Sequence, residues 1–309
     1  MSVRARLFAT IALFFVLCGL GKSQTQSKAP FDVASAEAKA QQGDIIAMTK
    51  LGEAYWGKQG IPADIAKGKA WLERAANAGS LEARMFLGAS YMSGSGLPKD
   101  DVLASKYLLQ VAQLPNVESN SQGSQAQAQY WIAMMYEHGR GIEKSHEKAI
   151  QFLQMAAKNG NYPAQFDLGS LYNDGSGGLP MDKAIACQWF EKAADSGHFK
   201  AMHNTGYCYQ LGTGGRKDSD KAIHYYTLAA EAGLTNSQHN LGMLYGVMGN
   251  AEKAYFWLRV AESFGYTEDK SRLDAAKARM SASQLEQQER DIATWVEAHK
   301  AKPEVTPTS

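Results

Sequence analysis

Six copies of one pattern run through the middle of this 309-residue chain, and self-similarity at a fixed period constrains a fold more than any local motif. Each copy places Leu-Gly four residues after an Ala or Ser, and Tyr three residues later. The matches are AMTKLGEAY from 47, ARMFLGASY from 83, AQYWIAMMY from 128, AQFDLGSLY from 164, AMHNTGYCY from 201 and SQHNLGMLY from 237. The glycine column falls at 52, 88, 133 (an Ala), 169, 206 and 242, at spacings of 36, 45, 36, 37 and 36 residues. An aromatic column follows at Trp71, Tyr107, Phe152, Trp189, Tyr225 and Trp257, with endings such as RAANAG, EKAADSG and LAAEAG. The long interval holds a polar insertion, LPNVESNSQGSQ, at 114–125, whose 114–124 stretch is expected to be a solvated loop.

Each copy reads as two helices. Ala, Leu, Gly and Tyr at i, i+4, i+5 and i+8 form one broad helical stripe. Gly in a helix costs about 1 kcal/mol against Ala, so a glycine column implies close contact between backbones. The Tyr and aromatic columns are expected to fill the space between helices. The glycine ending each copy reads as a helix terminator.

The stretch GSLYNDGSGG at 169–178 resembles a phosphate loop on composition alone. No strand precedes it, and no Gly-Lys-Ser or Gly-Lys-Thr follows. Its counterparts are GSG at 94–96, GRG at 139–141 and GTGG at 212–215, so these glycines are expected to turn the chain between paired helices.

The pattern AxxxLGxxYxxGxG…D…KAxxWxxKAAxxG resembles the Sel-one-like repeat, a branch of the tetratricopeptide-like helical solenoids. The fourth copy, AQFDLGSLYNDGSGGLPMDKAIACQWFEKAADSG, follows it throughout. The resemblance covers about 43–265 and implies an all-α, right-handed α/α solenoid of six two-helix repeats. Copy one departs from it, with Lys58 where the first loop glycine belongs. Copy two lacks the terminal Ala-Ala-x-x-Gly, and copy six has a shortened loop, GVMGNAEKA.

The ends are expected to differ from the repeats. MSVRAR carries two arginines and no acid, and an apolar run at 7–20 turns polar at 21. That order reads as a secretory signal peptide over 1–23, cut after Gly21 or Ser23. The apolar run is shorter than the ~20 residues of a membrane span. An uncleaved anchor is the alternative. Leu17 before Cys18 argues against lipidation, which wants a small residue there. A linker and cap helix are expected over 24–42, two polar capping helices over 266–300, and a disordered tail over 301–309. Ser281 and Gln284 match a capping box.

Net charge is +1 and the isoelectric point near 7.7, with no concentrated basic face, so a nucleic-acid partner is not expected. None of HExxH, CxxC or GxSxG occurs. No catalytic residue, metal or cofactor is expected.

One column invites a closer look. His203 and His239 share a repeat position with Thr49, Met85, Tyr130 and Phe166. The next column holds Lys50, Phe86, Trp131, Asp167, Asn204 and Asn240. These side chains either pack between helices, with His in an aromatic's place, or line a concave face that meets a partner. A metal site is a third reading. It would require two imidazoles on helices about 8–10 Å apart to converge on one ion, and no third ligand presents itself. The partner-contact candidates are therefore Tyr130, Trp131, Asp167, His203, Asn204, His239 and Asn240.

Cys187 and Cys208 stand ten residues either side of the turn at Gly197–His198. Antiparallel helices there put them at one height, which permits a disulfide; the alternative is two small buried apolar residues.

A continuous helical surface suits holding an extended peptide or another protein's face, so a protein-binding scaffold of the bacterial cell envelope is expected, periplasmic or secreted. The resemblance also implies two alternatives known among exported members: binding or modification of cell-wall material, including β-lactams, and engagement of host proteins.

Overall fold

The computed structural model describes residues 31–58, 61–115, 121–215, 217–267 and 270–300. The proposed signal segment with Cys18 and the tail 301–309 lie outside them. Two compact units meet in the chain at Asn161 and Tyr162. The first contains α1 (Val33–Gln41), α2 (Ile45–Glu53), α3 (Ile65–Asn77), α4 (Leu81–Ser93), α5 (Asp101–Ala112), α6 (Gln122–His138) and α7 (His146–Lys158). The second contains α8 (Tyr162–Asp174), α9 (Lys183–Asp195), α10 (Phe199–Leu211), α11 (Ser219–Glu231), α12 (Thr235–Val247), α13 (Ala251–Ser263), α14 (Lys270–Lys277) and α15 (Ala282–Lys300). The described residues contain no strand, and α2 through α13 form six helix pairs in the manner of an α/α solenoid.

Each second helix begins on a capping side chain, Asp64, Asp100, Ser145, Asp182, Asp218 or Asn250. Its oxygen accepts a first-turn N–H that would otherwise lack a partner. The backbone N–H of the same residue donates to the carbonyl of the Tyr column, from Asp64 to Tyr55 at 2.8 Å through Asn250 to Tyr245 at 3.0 Å. One residue thus caps the second helix and ties it to the first.

The glycine column receives a side chain more than a backbone. A Cβ on Gly52, Gly88 or Gly242 would lie 2.6–2.7 Å from Cγ of Leu72, Leu108 or Leu258. On Gly169 and Gly206 it would meet the rings of Phe190 and Tyr226, at 2.8 and 2.7 Å. The residue filling the space between helices is therefore the one after the aromatic column. Leu72, Leu108 and Tyr226 are fully buried, whereas Trp71, Tyr107, Trp189 and Trp257 are only half-buried. The aromatic column instead stacks on the Tyr column: Tyr91 on Tyr107 at 6.1 Å, Tyr136 on Phe152 at 5.7 Å and Tyr209 on Tyr225 at 5.9 Å.

The departures from the pattern have local causes. In copy one, Gly57 takes the left-handed conformation (φ 85°) one position before Lys58, and the chain widens over 54–58. In copy two, glutamines of α6 replace the missing ending: Gln125 donates to the Leu114 carbonyl at 2.6 Å and Gln129 to that of Ala112 at 3.1 Å. The 114–124 stretch is thus not loop throughout, because α6 starts at Gln122.

The capping box forms, Ser281 N–H donating to Gln284 Oε1 at 2.9 Å and Gln284 N–H to Ser281 Oγ at 3.3 Å. Ala276, Ile292 and Val296 of α14 and α15 pack with Ala254, Tyr255 and Val260 of α13. No helix among the described residues is long and apolar enough to cross a membrane.

Candidate functional site

The first helices of the second unit's repeats are α8, α10 and α12. Their small, Leu or Thr, and Gly positions are buried and their Tyr half-buried, which turns other residues outward. On α10, Asn204, Tyr207 and Leu211 fall at i, i+3 and i+7, one face of the helix; on α12, Asn240, Met243 and Val247 repeat the set. Tyr207 is 51% exposed, Leu211 56% and Val247 82%. These three lie outside the columns that the repeat pattern singles out. Their signal was apolar character off the buried stripe, in phase with the Asn column.

The column beside them is built inward. His203 Nδ1 pairs with Ser237 Oγ at 2.8 Å, joining α10 to α12, and its ring lies 5.6 Å from that of Tyr226. Burial lowers the His203 pKa. His239 stacks on Tyr266 at 4.1 Å. Asn240 hydrogen-bonds to the Tyr226 hydroxyl, which donates to Gln210 Oε1 at 2.7 Å. Burial raises the Tyr226 pKa against the pull of Asn240. Phe166 of the same column stacks on His198 at 4.4 Å, beside half-buried Asp167. Asn204 is also half-buried and shares its face with exposed Tyr207. Tyr130 and Trp131, both half-buried, belong to α6 in the first unit. The structure therefore groups Asp167, His203, Asn204, His239 and Asn240 on successive first helices of one unit, and places the other two candidates in the other.

A cavity of about 590 Å³ lies between α9, α10 and the connection leading to α11. Cys187 and Cys208 form a disulfide in its wall, with Cα atoms 5.9 Å apart. Nearby, the Tyr209 hydroxyl donates to Glu191 Oε1 at 2.5 Å and accepts from Lys221 Nζ at 2.8 Å. Burial and the Glu191 bond raise the Tyr209 pKa. Among the described residues, no group of three or more His, Cys, Asp or Glu side chains is gathered to hold a metal ion.

The model of the Sel1 repeat matches at 45–80, 81–116, 126–161, 163–198, 199–234 and 235–262. A Sel1 repeat protein from Oxalobacter formigenes is similar in structure, with 26% identity, 75% of this chain and 99% of that chain covered, and a TM-score of 0.55. A protective antigen of uropathogenic Escherichia coli displaying an SLR fold has 21% identity, coverage of 86% and 79%, and a TM-score of 0.34. A Pseudomonas aeruginosa immunity protein has 18% identity, coverage of 91% and 96%, and a TM-score of 0.39. No curated protein matches the sequence. The six matched segments coincide with the six helix pairs, and the chain belongs to the Sel1 repeat family.

Proposed function

We propose that the chain is a non-enzymatic protein-binding scaffold, and that the first-helix face of the second unit holds an extended peptide or another protein's surface. The observation that carries this reading is the exposure of Tyr207, Leu211 and Val247 in phase with Asn204 and Asn240. Exposed apolar side chains rimmed by amides suit partner contact, since the apolar groups gain from burial and the amides orient a peptide backbone. Asn204 is the better amide for this role, because Asn240 is bonded to Tyr226. The basic start and apolar run at 1–20 support export to the cell envelope, in periplasmic or secreted form.

The test is a crosslinked pull-down from envelope extract. The bait is the chain from residue 24, compared with Asn204→Ala/Tyr207→Ala/Leu211→Ala in the same chain. A protein captured by the first and lost by the folded second supports the reading. Equal capture moves the contact elsewhere, and no capture argues for a glycan or small-molecule ligand. N-terminal sequencing of the protein from fractionated cells tests export, with cleavage after Gly21 or Ser23 expected.

A further inference from the structure

The disulfide between Cys187 and Cys208 joins the second helix of repeat four to the first helix of repeat five. The equivalent positions one repeat later are Ile223 and Leu244, which pack in one apolar cluster. An ordinary contact therefore holds the corresponding join, and the covalent bond is an addition to the repeat's own packing. Its surroundings also differ from a sealed core. Both cysteines line the 590 Å³ cavity, and Cys187 is half-buried while Cys208 is only 8% exposed. The chain at Gly214 crosses closely, a Cβ there lying 3.3 Å from Cys187 Cβ, so the connection and the disulfide share one wall. Lys221 and Glu191 line the same space and offer both signs of charge.

We propose that Cys187–Cys208 is an exchangeable disulfide, opened by a low-molecular-weight thiol entering this cavity, and that opening loosens the join between repeats four and five. The thiolate attacks the sulfur of the more exposed residue, Cys187 Sγ. A new S–S bond forms there as the Cys187–Cys208 bond breaks, and Cys208 leaves as a thiolate that takes a proton from water. A second thiolate attacks the thiol-derived sulfur of the mixed disulfide, releasing Cys187 as a thiolate and the thiol as its own disulfide. Two electrons pass from two thiols to the protein.

The probe is reduced glutathione, added to the full chain without denaturant and followed by alkylation and peptide mass mapping. The expected product carries glutathione on Cys187 and the alkyl group on Cys208. Glutathione on Cys208, or a disulfide that opens only at urea concentrations unfolding the second unit, overturns the proposal. Cys187→Ile/Cys208→Leu, which copies the Ile223/Leu244 pair, is the folded control. Complete reduction should speed amide hydrogen exchange at the α9–α10 join by about a hundredfold or more, as expected for losing a cross-link over a 21-residue separation. The control should not respond to glutathione. Unchanged exchange in the reduced wild type overturns the loosening.

Discussion

Gly141 packs so tightly against Asp101 that a Cβ built on it would fall 1.9 Å from the Asp101 carbonyl oxygen. Around this contact, Ser105 Oγ donates to the Gly141 carbonyl at 3.0 Å and Arg140 Nη2 reaches Asp101 Oδ1 at 2.9 Å. The loop of repeat three is thus latched to the second helix of repeat two. The obstacle is backbone, which cannot swing aside, and Gly141 also holds φ at 64°. Gly141→Ala should destabilise the first unit by about 3 kcal/mol. Gly178→Ala is the comparison, since a Cβ there meets nothing within 4 Å and only the left-handed φ of 72° remains, a cost of about 1 kcal/mol. Urea denaturation followed by circular dichroism checks both; equal losses would remove the steric explanation.

Gly206→Ala should destabilise the second unit by about 1–3 kcal/mol despite the better helix propensity of Ala, because the new methyl meets the Tyr226 ring. Repeat three pairs Ala133 with Leu153, so adding Tyr226→Leu should recover part of the loss. A double-mutant cycle by urea denaturation reads the coupling.

His198 predicts an acid-sensitive second unit. Its Nδ1 accepts the Ala201 N–H at 3.2 Å as the cap of α10, and its ring is stacked against Phe166. Burial, assisted by Lys200, lowers its pKa from 6.5 to about 4. The unfolded chain therefore binds a proton that the folded one refuses. The stabilisation is complete above pH 6.5 and is lost as pH falls to about 4, a span worth about 3 kcal/mol. His198→Asn keeps a capping side chain and should flatten the decline in urea midpoint between pH 6.5 and 4. The lowered pKa of His203 should leave a residual slope of the same sign.

Gln129 is buried, donating to the Ala112 carbonyl and accepting from Asn159 Nδ2 at 2.8 Å. Gln129→Leu raises apolarity yet leaves both partners unsatisfied. It should lower the stability of the first unit by about 2–4 kcal/mol in thermal or urea unfolding.

The repeat period, the turn glycines and the Ser281–Gln284 capping box were legible in the sequence because each recurs or pairs at a local spacing. The caps of the second helices were not, since their distance from the Tyr column varies between copies. Asp182, for instance, closes on Tyr172 ten residues back, where Asp218 closes on Tyr209 nine back. The division of labour between Trp71 and Leu72 was not legible. Adjacent helical residues both border the apolar stripe, and only the packed partner shows that Leu72 seats on Gly52. The face carrying Tyr207 and Leu211 was hidden for a related reason. Hydropathy marks them as core, while their exposure depends on which side of α10 the neighbouring helices cover. The sequence left His203 and Asn240 open between packing and partner contact, because their bonds to Ser237 and Tyr226 come from the next first helix and from the preceding second helix, which a single copy does not display.

The hydrogen bond from each capping residue to the Tyr carbonyl is made whatever the length of chain between them. Tyr172 to Asp182 is one residue longer than Tyr209 to Asp218, and Tyr245 to Asn250 is far shorter. Entry and exit of the connector are pinned together, so the segment between behaves as a removable cassette. Foreign sequence spliced between Gly177 and Gly178 would bulge outward and leave the register of α8 on α9 intact. A lineage of such chains can therefore diversify its connectors without renegotiating its core.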